Sequence, residues 1–174
     1  SRDDLRKRLY GKNSSKKIIL QASSPRGGQD SIRPWVYETV DEYLSNINDL
    51  IEVTSDLDQV HLAVRFRAST TLSLDTFKTL LKPGKHYDIY SEGSFDQYLL
   101  SSDVLISYSS TTIEEALCNK VPVIQYDPDD KYAHVSQLPF AKTKDELNQY
   151  LNLLGSSRNP DLEERNLWAR YQEF

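Results

Sequence analysis

The residues best placed to do chemistry are the hydroxyl run Ser109-Ser110-Thr111-Thr112, set between an apolar stretch, Asp103–Tyr108, and a segment of helical spacing, Thr112–Lys120. A strand that delivers serines and threonines to a helix start makes an anion site. The first amides of a helix have no partner within it, and the helix dipole turns its positive end to the same place. Phosphate is the expected tenant, with Ser109, Ser110 and Thr111 offering amides and hydroxyls. Glu114 and Glu115 fall in the first turn, where the dipole favours carboxylates without any functional reason. Glu114 is equally placed to close a capping box with Thr111 or Thr112. Glu115 is left as a candidate for ligand contact. Asn119 is expected to take the left-handed conformation that ends the helix before Val121-Pro122-Val123.

Other candidates stand where strands end. Ile18–Ala22 empties into Ser23-Ser24-Pro25-Arg26-Gly27-Gly28, in which glycines permit close backbone approach and Arg26 brings charge. A plain surface loop explains the same residues, and the segment is neither a GxGxxG fingerprint nor a P-loop. In His61–Arg67, period two places His61, Ala63, Arg65 and Arg67 on one face and Leu62, Val64 and Phe66 on the other. Arg65 or Arg67 can reach an anion beyond the strand's carboxyl end, or simply form solvated ion pairs. Ser91, Glu92 and Gly93 follow the strand Tyr87–Tyr90. Asp127, Asp129, Asp130, Lys131, Tyr132 and His134 lie in an aperiodic run after the last apolar strand, either contacting a transferred group or forming a polar loop.

The elements that must position these residues alternate. A short charged helix over 3–11 and a polar lead-in precede strand 18–22. A long helix over 31–51 follows, with Pro34 early and Trp35, Val36, Val40, Leu44, Ile47 and Ile51 at helical spacing. Strand 61–67, helix 73–81, strand 87–90, helix 95–100, strand 103–108, helix 112–120 and strand 121–126 come next. A helix over 144–154, capped by Gly155, and a last helix over 161–171 complete the chain. Strands alternating with helices imply an α/β fold: a Rossmann-like, doubly wound parallel sheet in one domain, in strand order 3-2-1-4-5 with right-handed crossovers. The switch point then falls between the first and fourth strands, bringing Arg26-Gly27-Gly28 and Tyr108–Thr112 to the two lips of one crevice.

The chain has 174 residues and a net charge of -5, enough for one domain with a real core and without the concentrated basic face of a nucleic-acid binder. Its amino end lacks an apolar signal region, and no apolar run reaches the roughly 18 residues of a membrane span. A cytoplasmic setting is expected. The single cysteine, Cys118, reads as a small buried apolar residue in a helix. His61, His86 and His134 are far apart in sequence, so no metal site is expected.

The order of strand, Tyr108-Ser109-Ser110 turn, helix with Glu115-Ala116, Pro122-Val123 strand and Tyr126-Asp127-Pro128-Asp129 resembles the donor half of GT-B glycosyltransferases. It is similar also to the CDP-glycerol and capsule-polymer transferases. Many family members carry Gly where this chain has Asn119. The resemblance in order and spacing runs from about Lys16 to Leu154 and implies a division into a linker helix over 1–15, a nucleotide-donor-binding domain over 16–156, and a terminal helix over 157–174. It further implies donor-phosphate contacts from Ser109, Ser110, Thr111, Arg26, Gly27 and Arg67, and a ribose contact from Glu115. Ser91, Glu92, Asp127 and Asp129 would lie near the base or sugar. The implied substrate is a nucleotide-activated sugar or polyol, with no metal or other cofactor, no nucleic acid, and at most peripheral membrane association of the full enzyme. The acceptor-binding amino-terminal half, and with it the general base, would lie outside this chain. A nucleotide-sugar 2-epimerase or hydrolase is the same-fold alternative. A non-catalytic docking module is the alternative from another class.

Overall fold

A computed structural model describes residues 1–23, 38–68, 72–108, 111–131 and 138–155. Within them lie six strands, β1 (Lys17–Ala22), β2 (Val60–Arg65), β3 (Tyr87–Tyr90), β4 (Val104–Ser107), β5 (Val123–Tyr126) and β6 (Phe140–Ala141). The helices are α1 (Arg2–Tyr10), α2 (Val40–Ser55), α3 (Leu74–Leu80), α4 (Phe95–Ser101), α5 (Thr111–Cys118) and α6 (Lys144–Gly155). All strand pairs are parallel, in the order β3-β2-β1-β4-β5-β6. The expected order is therefore present, with β6 added at one edge. That strand is two residues long, too short for periodicity to mark it.

Apolar runs such as Ile18-Ile19-Leu20 and Leu62-Ala63-Val64 are buried on both faces, as parallel strands must be when helices cover each side. On one face Ile19, Leu62, Val64, Val104, Ile106 and Ile124 pack with α2, α3 and α6. On the other, Ile18, Leu20, Ala63, Leu105 and Val123 meet Tyr10 of α1, Tyr98 and Leu99 of α4, and Ile113 and Ala116 of α5. The chain is thus wound in both directions from β1 and β4, an α/β Rossmann-like domain.

α2 begins at Val40 rather than in the thirties. Thr39 is its N-cap, accepting from the Glu42 amide while Glu42 bonds back to the Thr39 amide. Residues 38 and 39 are not helical, and the earlier part of the expected helix, with Ser31 and Pro34, lies outside the described residues. Tyr43, Ile47, Leu50, Ile51 and Thr54 form its buried stripe.

The helix expected to act as a linker is docked on the domain. Asp103 accepts from the Ile18 amide (2.7 Å), from Arg6 Nη1 (3.0 and 3.2 Å) and from Arg2 Nη2 (2.9 Å), binding α1 to the amino-terminal edge of the sheet. Arg6 also donates to the Lys16 and Ser14 carbonyls. Tyr10 buries its ring among His61, Tyr90 and Tyr98, and its hydroxyl meets Ser101 Oγ at 2.9 Å.

Candidate functional site

The two central strands, β1 and β4, are neighbours, with Gln21 opposite Ile106, so their carboxyl ends open side by side at the topological switch point. Ligands of open α/β sheets bind at such a place. Thr112, in the first turn of α5, donates its hydroxyl to the Ala22 carbonyl at the end of β1 (3.4 Å), so the start of α5 is held against the lip formed by β1. The turn between β4 and α5 is fixed from below. Gln125 Nε2 of β5 donates to the Tyr108 carbonyl (2.7 Å), and the Tyr108 hydroxyl accepts from the Glu38 amide (3.3 Å) just ahead of α2. Tyr108 therefore ties β4, β5 and the α2 entry together.

Of the residues singled out in the sequence, Ser109, Ser110, Arg26 and Gly27 lie outside the described residues. Thr111 is exposed at the first position of α5. Thr111 and Thr112 both lie within α5, so neither is the residue preceding the helix from which a capping box to Glu114 was expected. Glu115 is exposed on α5. The left-handed residue after this helix is Lys120 (φ 56°), not Asn119. The Asn119 backbone amide donates to the Glu115 carbonyl (3.1 Å), extending the helical pattern by one residue, and its side-chain amide donates to the same carbonyl (2.8 Å). Cys118 is exposed, contrary to its expected burial, because Ile113 and Ala116 set the buried side of α5 and Cys118 falls off it.

Arg67 is exposed beyond β2. Arg65 is spoken for: Nη1 donates to the Phe66 and Tyr90 carbonyls (3.0 and 2.9 Å) and Nη2 to the Gly93 carbonyl (2.7 Å), while the guanidinium lies over the Tyr98 ring. It shapes the turn containing Ser91 and Glu92, whose side chains are exposed. Gly93 takes φ 83° there, a conformation glycine adopts without a Cβ clash. Asp127 is buried at the end of β5, its amide donating to the Ala141 carbonyl (3.1 Å), whereas Asp129 is exposed. All these positions share the carboxyl-terminal edge of one sheet. Ser91 and Glu92 after β3 and Asp127 after β5 are four strand spacings apart, about 19 Å, with Thr111 between them.

A feature missed in the sequence lies under the crevice. Gln21, Ser23, Glu38, Asn46, Ser107 and Tyr108 surround a cavity of ≈ 10 Å³, walled by Leu50, Ile106 and Tyr126. Gln21 Nε2 donates to Ser23 Oγ (2.7 Å), and Asn46 Nδ2 to Glu38 Oε1 (2.9 Å). Glu38 is 2% exposed. Burial pushes its carboxyl up to about 8, against the opposing pull of the Asn46 amide and the neighbouring Ser23 hydroxyl; the Glu42 carboxylate adds to the rise and Lys131 to the pull. The available signal was the recurrence of Gln21, Ser107 and Gln125 near the ends of otherwise apolar strands.

Lys131 donates to both Glu42 oxygens (2.8 and 3.0 Å), joining the segment after β5 to the start of α2. Among the described residues no group of three or more His, Cys, Asp or Glu could hold a metal ion, and no helix is long and apolar enough to cross a membrane.

No family model and no curated protein sequence matches the chain. Solved structures do. A variant of the wall teichoic acid polymerase TagF is 17% identical with a TM-score of 0.63, over 99% of this chain and 41% of that one. Anabaena Alr3699/HepE, solved with UDP and glucose, is 14% identical with a TM-score of 0.62, over 99% and 48%. A Listeria monocytogenes protein assigned as a UDP-N-acetylglucosamine 2-epimerase is 12% identical with a TM-score of 0.58, over 96% and 40%. Identities this low speak to fold. The domain therefore belongs by architecture to the Rossmann-like α/β class. Within it, the chain shares its fold with part of each of these glycosyltransferase and epimerase structures and spans less than half the length of each.

Proposed function

We propose that this chain is the donor-binding domain of a metal-independent glycosyltransferase, or polyol-phosphate transferase, that builds a cell-surface polysaccharide from a nucleotide-activated donor at the cytoplasmic side. The observation that carries this reading is the junction of α5 with β1. Thr112 anchors the first turn of α5 to the Ala22 carbonyl, so the start of the helix, where amides have no partner within the helix itself, is held beside the switch-point crevice. Ser109, Ser110 and Thr111 would bind the donor phosphate there, with Arg26, Gly27 and Arg67 from neighbouring strand ends. Glu115 would accept from the ribose, and Ser91, Glu92, Asp127 and Asp129 would border the base or sugar.

Catalysis in this reading is electrostatic. As the bond between the transferred group and phosphate breaks, the electron pair stays with the phosphate oxygen. Helix amides and an arginine, fixed before the reaction, stabilise the growing charge. The general base comes from an acceptor-binding domain outside this chain, so the domain alone binds donor and turns over poorly.

The test is binding of UDP and CDP by isothermal titration to the wild type, to Glu115→Ala and to a chain carrying both Ser109→Ala and Ser110→Ala. Each variant is expected to weaken nucleotide binding at least tenfold. Unchanged affinity in both would overturn the reading. The likeness to the Listeria epimerase keeps one rival concrete: release of an epimer or free sugar from UDP-N-acetylglucosamine without any acceptor would favour it.

A further inference from the structure

Among the described residues five buried side-chain atoms lack a hydrogen-bond partner, and three of them, Gln21 Oε1, Glu38 Oε2 and Ser107 Oγ, belong to residues lining the small cavity beneath the switch point. Each orphaned buried polar atom costs about 1–3 kcal/mol, so three around one cavity mark a place built for a polar occupant. The cavity has room for about one oxygen-sized group. The void around it, which runs out to solvent, is ≈ 220 Å³.

The lining selects the occupant. Among the described residues no arginine, lysine or histidine lines the cavity, and a carboxyl group does, which disfavours an anion. A cation would find one carboxyl, held toward its neutral form by burial and with Lys131 nearby, in place of the several carboxylates that usually gather around hard cations. A neutral hydroxyl fits. Glu38 in its acid form supplies a donor, Gln21 Oε1 an acceptor, and Ser107 Oγ either. Ser23 directly follows β1 and Ser107 closes β4, so the cavity lies below the same crevice that the donor reading fills.

We propose that this cavity is the subsite for one hydroxyl of the transferred sugar or polyol, with Glu38, Gln21 and Ser107 making the hydrogen bonds that recognise it. A water holds the position in the free domain and leaves when the donor enters. The inference rests on the donor reading, and it adds a residue that distinguishes a complete donor from the bare nucleotide.

The experiment compares bare nucleotide with complete donor, UDP against UDP-glucose and CDP against CDP-glycerol, by isothermal titration to the wild type, Glu38→Gln and Glu38→Leu. Glu38→Gln keeps a neutral donor and acceptor and is expected to preserve the ratio of donor to nucleotide affinity within threefold. Glu38→Leu is expected to leave bare nucleotide affinity unchanged and to lower that ratio about tenfold or more. If Glu38→Leu shows no cooperative unfolding transition, Ser107→Ala replaces it with the same expected direction. A ratio unaltered by these changes, in a wild type that binds nucleotide, overturns this inference alone. A wild type that binds neither nucleotide nor donor overturns the donor reading and this inference with it.

Discussion

Replacing Glu38 by glutamine removes a titratable group whose folded and unfolded states hold their protons differently. In the folded chain burial raises the carboxyl from 4.5 to about 8. A raised acid favours the folded state most below pH 4.5, and that contribution is lost as pH climbs through 8, because the folded chain holds a proton that the unfolded chain has released. A shift of this size corresponds to about 4–5 kcal/mol across the window, a large share of the 5–15 kcal/mol that holds a typical domain together. Glu38→Gln keeps the acceptor for Asn46 and the neutral shape but cannot ionise. Urea unfolding at pH 5, 7 and 9 should therefore give nearly equal midpoints for wild type and variant at pH 5. At pH 9 the variant should unfold later by on the order of 2 M urea. His61, which titrates lower, is present in both proteins and cancels in the difference. Parallel stability curves from pH 5 to 9 would refute the assignment of Glu38 as a buried acid.

His61 should shape the acid limb. Burial depresses its imidazole from 6.5 to about 4, with Nε2 against the Tyr90 hydroxyl at 3.0 Å, so its contribution is complete above pH 6.5 and lost as pH falls through 4. His61→Gln is expected to flatten that loss, by up to about 3 kcal/mol, in a urea series run from pH 7 down to pH 3; an unchanged acid limb would contradict this. Asp103→Ala strips the partner from Arg6, which is 9% exposed, and from the Ile18 amide. It should cost about 2–4 kcal/mol and speed hydrogen exchange in α1 before the rest of the domain, whereas uniform exchange would show that α1 is not held through Asp103.

Most of the fold could be read from the chain because its strands are apolar runs bounded by Gly, Pro and Ser, and its helices carry stripes such as Tyr43-Ile47-Leu50-Ile51. The order of the five longer strands followed from the winding rules. The errors have local causes. Phe140-Ala141 is too short to show a period, so β6 was missed. The Thr39–Glu42 box starts α2 at Val40, within the stretch expected to be one continuous helix. A further helical backbone bond, from the Asn119 amide to the Glu115 carbonyl, moves the left-handed turn to Lys120. At the site, the edge of the sheet on which Thr111, Arg67, Ser91, Glu92 and Asp127 stand was legible from connectivity alone. The Glu38 cavity was not, since it joins residues from β1, the entry to α2, and β4 that meet only when α2 packs on the sheet.

The central claim is that the start of α5, set in the switch-point crevice, binds the phosphate of a nucleotide. A thermal-shift titration of the wild-type chain with UMP, UDP, CMP, CDP, GMP and GDP tests it most directly. A nucleotide at 100 times its dissociation constant adds about 2.7 kcal/mol of stability, and the account predicts a saturable rise in Tm with at least one of the six that is abolished in the chain carrying both Ser109→Ala and Ser110→Ala. No shift with any of them, or an equal shift in that variant, would contradict it.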